Sequence, residues 1–213
     1  AFQVQDANAP TGGSATASVD DDGLSGGNAL STIGDLSDPD LDGDNDETTF
    51  SGTLGGSVGL DTPGVFSFIG LDGTPGTVGQ ENVQYAWDDT GKVLTATVDG
   101  GPRDGLDLFT VTITDTATGA FEVKLINNIL HDDGPNDEND NTVNLAYSIT
   151  DADGTTAPGA LTITLDDDAP TATDDGLTNV AENGANIGGN VLSNDSPGAD
   201  GATMSRLNFG ACF

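Results

Sequence analysis

Apolar residues recur at every second position in a series of short runs along this chain. Val83, Tyr85 and Trp87 share one face of a run, and Leu94, Ala96 and Val98 share a face of the next, with Asp88-Asp89-Thr90-Gly91 as the turn between them. Phe109, Val111 and Ile113 alternate with threonines, and Thr116-Ala117-Thr118-Gly119 then turns the chain into Phe121, Val123 and Leu125. Val143, Leu145, Tyr147 and Ile149 follow, and Leu161, Ile163 and Leu165 close the series. Ala17 and Val19 open an earlier strand, and Phe50 with Leu54 and Phe66 with Phe68 supply two more. A period of two is that of a strand with one face buried. No stretch carries a helical period. Seven or eight short strands separated by Gly, Asp and Pro turns predict an all-β fold, an antiparallel immunoglobulin-like β-sandwich with acidic loops.

Composition changes the picture in one direction. The 213 residues hold 36 acids against 4 Lys+Arg, a formal charge of −32, and only five of those acids are Glu. A surface of this sign repels nucleic-acid phosphate and anionic lipid, which excludes both as direct partners. No run of 18 apolar residues offers a membrane-spanning helix, so no direct membrane insertion is expected. One cysteine, Cys212, leaves no internal disulfide and no cysteine-rich zinc site. The fold therefore needs a stabiliser other than disulfides.

The aspartates point to that stabiliser by their bunching in loops. The bunches lie at 20–22, 38–46, 132–133, 137–140, 151–153, 166–168 and 174–175. Spread along strands, acid at this density would suggest a halophilic surface; gathered in loops, it suits divalent cations, and hard oxygen ligands select calcium or magnesium. The sharpest motif is Asp38-Pro39-Asp40-Leu41-Asp42-Gly43-Asp44-Asn45-Asp46, which follows the D-x-D-x-D-G pattern in which alternate carboxylates converge on one ion. Thr49 stands where a bidentate Glu would close the loop, so weak binding is expected, about 10⁻⁴–10⁻³ M. Asp151 and Asp153, in Asp151-Ala152-Asp153-Gly154, form a second candidate at a strand end. Asp166 and Asp168, just before Pro170, form a third at the exit from the domain, and Asp20 and Asp22 are expected at the equivalent upstream junction. The plain alternative is that Asp-Gly pairs simply make turns.

The phrase Ser18-Val19-Asp20-Asp21-Asp22-Gly23-Leu24 returns as Thr171-Ala172-Thr173-Asp174-Asp175-Gly176-Leu177. So long a period means an array of whole domains. Residues 1–15 are an extension or linker, 16–168 one complete repeat, and 169–213 the start of a second, incomplete module. The order Phe109-Thr110-Val111-Thr112, Leu130-His131-Asp132, Glu138-Asn139, Asn141-Thr142-Val143, Asp151-Ala152-Asp153-Gly154 and Asp166-Asp167-Asp168-Ala169-Pro170 resembles the tandem repeats of large type I-secreted, RTX-type bacterial adhesins. The tail from Val180 through Asn190-Val191-Leu192-Ser193-Asn194-Asp195 to Asp200 resembles the cadherin-like repeats of the same giants. The glycine-rich nonapeptide of RTX proteins is absent. The resemblance implies a secreted, cell-surface protein, and calcium-dependent modules that space an adhesive tip from the cell in adhesion or biofilm formation. Neighbouring repeats or identical subunits would be its partners.

Catalysis is not expected. His131, the single histidine, adjoins Asp132, but neighbours in a strand-end loop seldom point the same way, and the serines have no evident activating base. A structural hydrogen bond suits His131 better. Two further functions stay open. Tyr85 and Trp87 could stack on surface polysaccharide in a carbohydrate-binding adhesive module, although residues two apart on a strand also suit the core. The incomplete tail could instead pair with a neighbouring chain in a filament or surface layer joined by strand exchange.

Overall fold

The computed structural model describes residues 8–25, 27, 48–131, 140–168, 170–176 and 188–199. Its strands are β1 (Thr11–Gly12), β2 (Ser14–Asp20), β3 (Thr49–Thr53), β4 (Gly56–Ser57), β5 (Val65–Ser67), β6 (Pro75–Val78), β7 (Glu81–Asp88), β8 (Val93–Val98), β9 (Asp107–Asp115), β10 (Ala120–Leu125), β11 (Asn141–Thr150) and β12 (Thr156–Asp166). One 3₁₀ turn, Ile69–Leu71, interrupts them. The protein is all-β, as the alternation predicts. An antiparallel six-stranded sheet runs β3-β10-β9-β8-β7-β6, and a four-stranded sheet runs β2-β12-β11-β5. A short β1–β4 pair lies beside them.

Alternation decides which side chains enter the core. Val83, Tyr85 and Trp87 of β7 are buried while their neighbours are exposed or half-buried, and Val143, Leu145, Tyr147 and Ile149 of β11 repeat the pattern in the other sheet. These inner faces join in one apolar cluster. Phe68 links them: its ring centroid lies 6.0 Å from Trp87 of one sheet and 6.0 Å from Tyr147 of the other. Such tilted ring pairs add about 0.5–1.5 kcal/mol each beyond their buried area. Where alternation fails, a bulge is the reason. The register of β8 with β9 shifts between Ala96 and Thr97, and Leu108 and Phe109 both turn inward there.

Three details differ from the sequence expectation. The edge strand β6 was not foreseen, because Pro75-Gly76-Thr77 has the composition of a turn; an edge tolerates a proline at its first position. Leu54 and Phe68 are buried, but each lies just past a strand rather than in it. The third concerns the strand ends. β2 pairs with β12 in parallel, with Asp20 opposite Asp166, so both strands finish at the same end of the sandwich.

Candidate metal centre

That parallel pair assembles the site. Asp20–Asp22 leave β2 and Asp166–Asp168 leave β12 side by side, so Asp20 and Asp22 lie at the exit end with Asp166 and Asp168, not at a separate upstream junction. β2 and β12 run in the same direction, which carries both loops to one end. Asp20, Asp21, Asp22, Asp166 and Asp168 are each between 1% and 8% exposed. Carboxylates are rarely this buried unless paired or bound to a cation.

Asp21 is held from two sides by backbone. Its Oδ2 accepts the Ile129 N–H at 3.2 Å, and its Oδ1 accepts the Asp168 N–H at 3.0 Å. Asp20 Oδ1 accepts the Asp22 N–H at 3.1 Å. His131 reaches the same place from the loop after β10. The β6–β7 turn sets its position: the Gln80 N–H donates to the Leu130 carbonyl at 2.9 Å, and the Gln80 side-chain amide donates to the His131 carbonyl. Gly79, at φ +53°, allows the close approach, since a Cβ there would sit 2.3 Å from the Leu130 oxygen.

The imidazole of His131 is 2% exposed, and its Nδ1 lies 3.0 Å from Asp167 Oδ1. The approach is off-axis: neither ring nitrogen makes a hydrogen bond of normal geometry. One ligand atom each from Asp21, His131 and Asp167 lie within 4.8 Å of one another. His131 therefore turns to Asp167 and Asp21; Asp132 lies outside the described residues. Burial raises the Asp21 pKa to about 7, against the opposing pull of His131 and of the two backbone N–H groups. Burial by itself would lower the His131 pKa, but the hydrogen-bonding pull and charge of Asp167, then the charge of Asp21 and the backbone of Leu165, outweigh it and the net shift is upward.

Asp151 and Asp153 sit elsewhere. They occupy the β11–β12 turn, at the opposite end of the 11-residue β12, roughly 33 Å away at the usual strand rise. Thr155 closes this turn: its N–H donates to Asp151 Oδ1 at 2.8 Å and to Asp153 Oδ1 at 3.1 Å, and its hydroxyl donates to Asp153 at 2.9 Å. A hydrogen bond from Asp151, then those from Thr155, lower the Asp153 pKa. Asp38, Asp40, Asp42, Asp44 and Asp46 lie outside the described residues.

Of the described basic groups, Lys92 and Arg103 have partners of their own. Lys92 pairs with Asp89 at 2.8 Å, Arg103 pairs with Glu81 at 3.2 Å, and Lys124 is exposed on β10. Sequence reasoning selected Asp20, Asp22, Asp166 and Asp168 and passed over Asp21, Asp167 and His131. Tyr85 and Trp87 are 5% and 7% exposed, inside the core. Among the described residues no helix is long and apolar enough to cross a membrane. Set against protein-family models, curated proteins and solved structures, the chain matches none.

Proposed function

We propose that this chain is a calcium-stabilised spacer module of a secreted adhesin or biofilm-matrix protein, with no catalytic role. The observation that carries the reading is the parallel β2–β12 pairing, which brings Asp20–Asp22 and Asp166–Asp168 together where the chain passes toward 170–176. Oxygen-only donors such as Asp20, Asp22, Asp166 and Asp168 are the kind calcium takes. An ion there would offset the repulsion among buried carboxylates and stiffen the exit, beside Pro170, whose backbone is already restricted. The Asp151/Asp153 turn is a second proposed position, because two adjoining carboxyls need a proton or a cation between them. Burial of Tyr85 and Trp87 removes the aromatic platform on which a carbohydrate-binding reading would rest.

The tail supports the start of a new module over a donated strand. Thr171 and Ser196 exchange backbone hydrogen bonds at 3.0 and 2.9 Å, and the Thr173 N–H donates to Asp195 at 2.8 Å. These partners lie in the same chain.

Thermal melts with calcium and with chelator test the reading. A site whose Kd is tenfold below the free calcium concentration adds about 1.4 kcal/mol, and several such sites add up. The melting temperature should fall by many degrees in chelator and recover with calcium. An unchanged melt in chelator at low salt would refute the reading, and full recovery with sodium alone would show charge screening instead.

A further inference from the structure

We propose that Asp21, His131 and Asp167 form a site of their own for a first-row transition-metal dication of the zinc class, separate in its chemistry from the calcium positions. The inference does not depend on the calcium reading. It rests on the imidazole: a side chain 2% exposed, with neither nitrogen in a hydrogen bond of normal geometry, whose Nδ1 lies 3.0 Å from Asp167 and which has a ring nitrogen within 4.8 Å of an Asp21 oxygen. A buried histidine usually donates one ring N–H to a carbonyl or carboxylate in line. Here Nδ1 stands 3.0 Å from Asp167 Oδ1 without that alignment. Two ligands of one metal stand in that relation: bonds of about 2.0–2.2 Å place neighbouring donor atoms roughly 3.0–3.5 Å apart, each aimed at the ion and not at the other.

The donor set selects the metal. One imidazole nitrogen with two carboxylate oxygens suits zinc, or manganese as a harder alternative, whereas calcium takes oxygen alone. Three protein ligands leave a further position for water, and the 12% exposure of the Asp167 side chain leaves that side partly open to solvent. The supporting shell exists as well. The Ile129 and Asp168 N–H groups orient the Asp21 carboxylate, and Gln80 fixes the backbone of residues 130 and 131. Bonds of this kind hold metal ligands in place before the ion arrives. The three ligands come from the loop after β2, the loop after β10 and the end of β12, so one ion would tie together segments far apart in sequence.

The single histidine makes the test direct, since imidazole resonances report on one residue. The full chain, stripped of metal and held in saturating calcium, is titrated with zinc while the ¹⁵N signals of His131 are followed. The expected result is one zinc per chain lost on His131→Gln, a large shift of Nδ1 on binding, and a higher melting temperature. His131→Gln should weaken zinc at least about tenfold and leave the calcium-dependent melt in place. Should that variant fail to fold, the wild-type Nδ1 shift decides alone. An Nδ1 signal that zinc leaves unmoved would overturn the proposal, as would zinc stoichiometry unaltered in a folded His131→Gln chain. Complete exclusion of zinc by calcium would overturn it too, because the cluster would then be a calcium site with a histidine beside it.

Discussion

In the absence of divalent ions, the buried end of the sandwich should make this protein more stable in mild acid than at neutral pH. Asp21 carries a share that can be worked out. Its folded-state pKa of about 7 lies above its ordinary 3.8. Folding therefore favours its protonated form. That contribution is fully present below about pH 3.8 and disappears as pH rises through about 7. Integrating between pH 5 and pH 8 gives a loss of about 2–3 kcal/mol. For a domain of this size that is roughly 5–10 °C in melting temperature. His131 acts in the same direction, because its folded pKa is also raised: its share is present below 6.5 and is lost as pH climbs through the folded value. The carboxyls whose pKa values are lowered, Asp89, Asp115 and Asp153, carry the opposite sign, but they act near and below 3.8, outside this window. Asp21→Asn isolates the effect. The amide keeps one acceptor oxygen for the two N–H groups of Ile129 and Asp168 and sets an NH₂ against the other. The variant should lose about 1–3 kcal/mol at pH 5, where the wild-type group is protonated and satisfied. At pH 8 the deficit shrinks or vanishes, since the wild type there carries a buried charge. Urea melts in chelator at 0.15 M salt, from pH 5 to 8, provide the assay. A wild-type stability that stays level or rises with pH would refute the reasoning, and so would an Asp21→Asn chain that keeps the full wild-type slope. Added divalent ion should invert the trend, since metal competes with the proton for the same oxygens and stabilises more as pH rises.

Other perturbations separate the fold from the ion sites. A Cβ at Gly159 would stand 2.2 Å from the Tyr147 ring, whose hydroxyl donates to the Gly55 carbonyl at 2.7 Å. Gly159→Ala should therefore destabilise by about 2–4 kcal/mol, from overpacking plus the lost hydrogen bond. Tyr147→Phe should cost only about 1 kcal/mol, and denaturant melts showing equal losses would contradict that division. Replacing Asp151 and Asp153 together by Asn should lower the calcium stoichiometry by one in titration calorimetry; an unchanged stoichiometry would mean that a shared proton and Thr155 already satisfy that turn.

The strands were legible because each has one wet face and one dry face, which writes a period of two into Val83-Tyr85-Trp87 and Val143-Leu145-Tyr147-Ile149. Burial of Tyr85 and Trp87 was legible for the same reason. Periodicity says nothing about which strands lie side by side, however. The parallel closure of β2 on β12 leaves no local mark, so Asp20 and Asp166 were recognised as acidic strand ends but not as register partners. The Leu108 bulge hides in the same way, since an extra inward residue looks like a break in the pattern. His131 shows the limit most plainly. Its partners in the site, Asp21 and Asp167, are distant in sequence, and only the assembled ends of two strands and the Gln80 turn bring them to one point. A single histidine in a chain so rich in Asp was the one available signal, and on its own it suited a structural hydrogen bond with no partner named.

Placing the acids at this end makes the stability of the core and the direction of the chain depend on the same groups. The apolar cluster closes under Phe68, Trp87 and Tyr147, and the register from Ser14 to Asp20 against β12 runs unbroken into the carboxylates. Anything that relieves their repulsion, proton or cation, therefore also clamps the last residues of β12. Asp168 is the pivot: its N–H is fixed to Asp21, and its carbonyl lies against Gly198, where a Cβ would come within 2.5 Å. A cation at Asp166 and Asp168 would hold β12, the loop after β2 and the first residues beyond Pro170 in one relation. Removing it would free the exit before it unfolded the sandwich. On the proposed reading, then, chelation should loosen the exit at lower chelator concentration than it lowers the melting temperature. Limited proteolysis between residues 168 and 176, followed beside the melt, would show the two steps apart, and simultaneous loss of both would place the ions in the core's own stability instead.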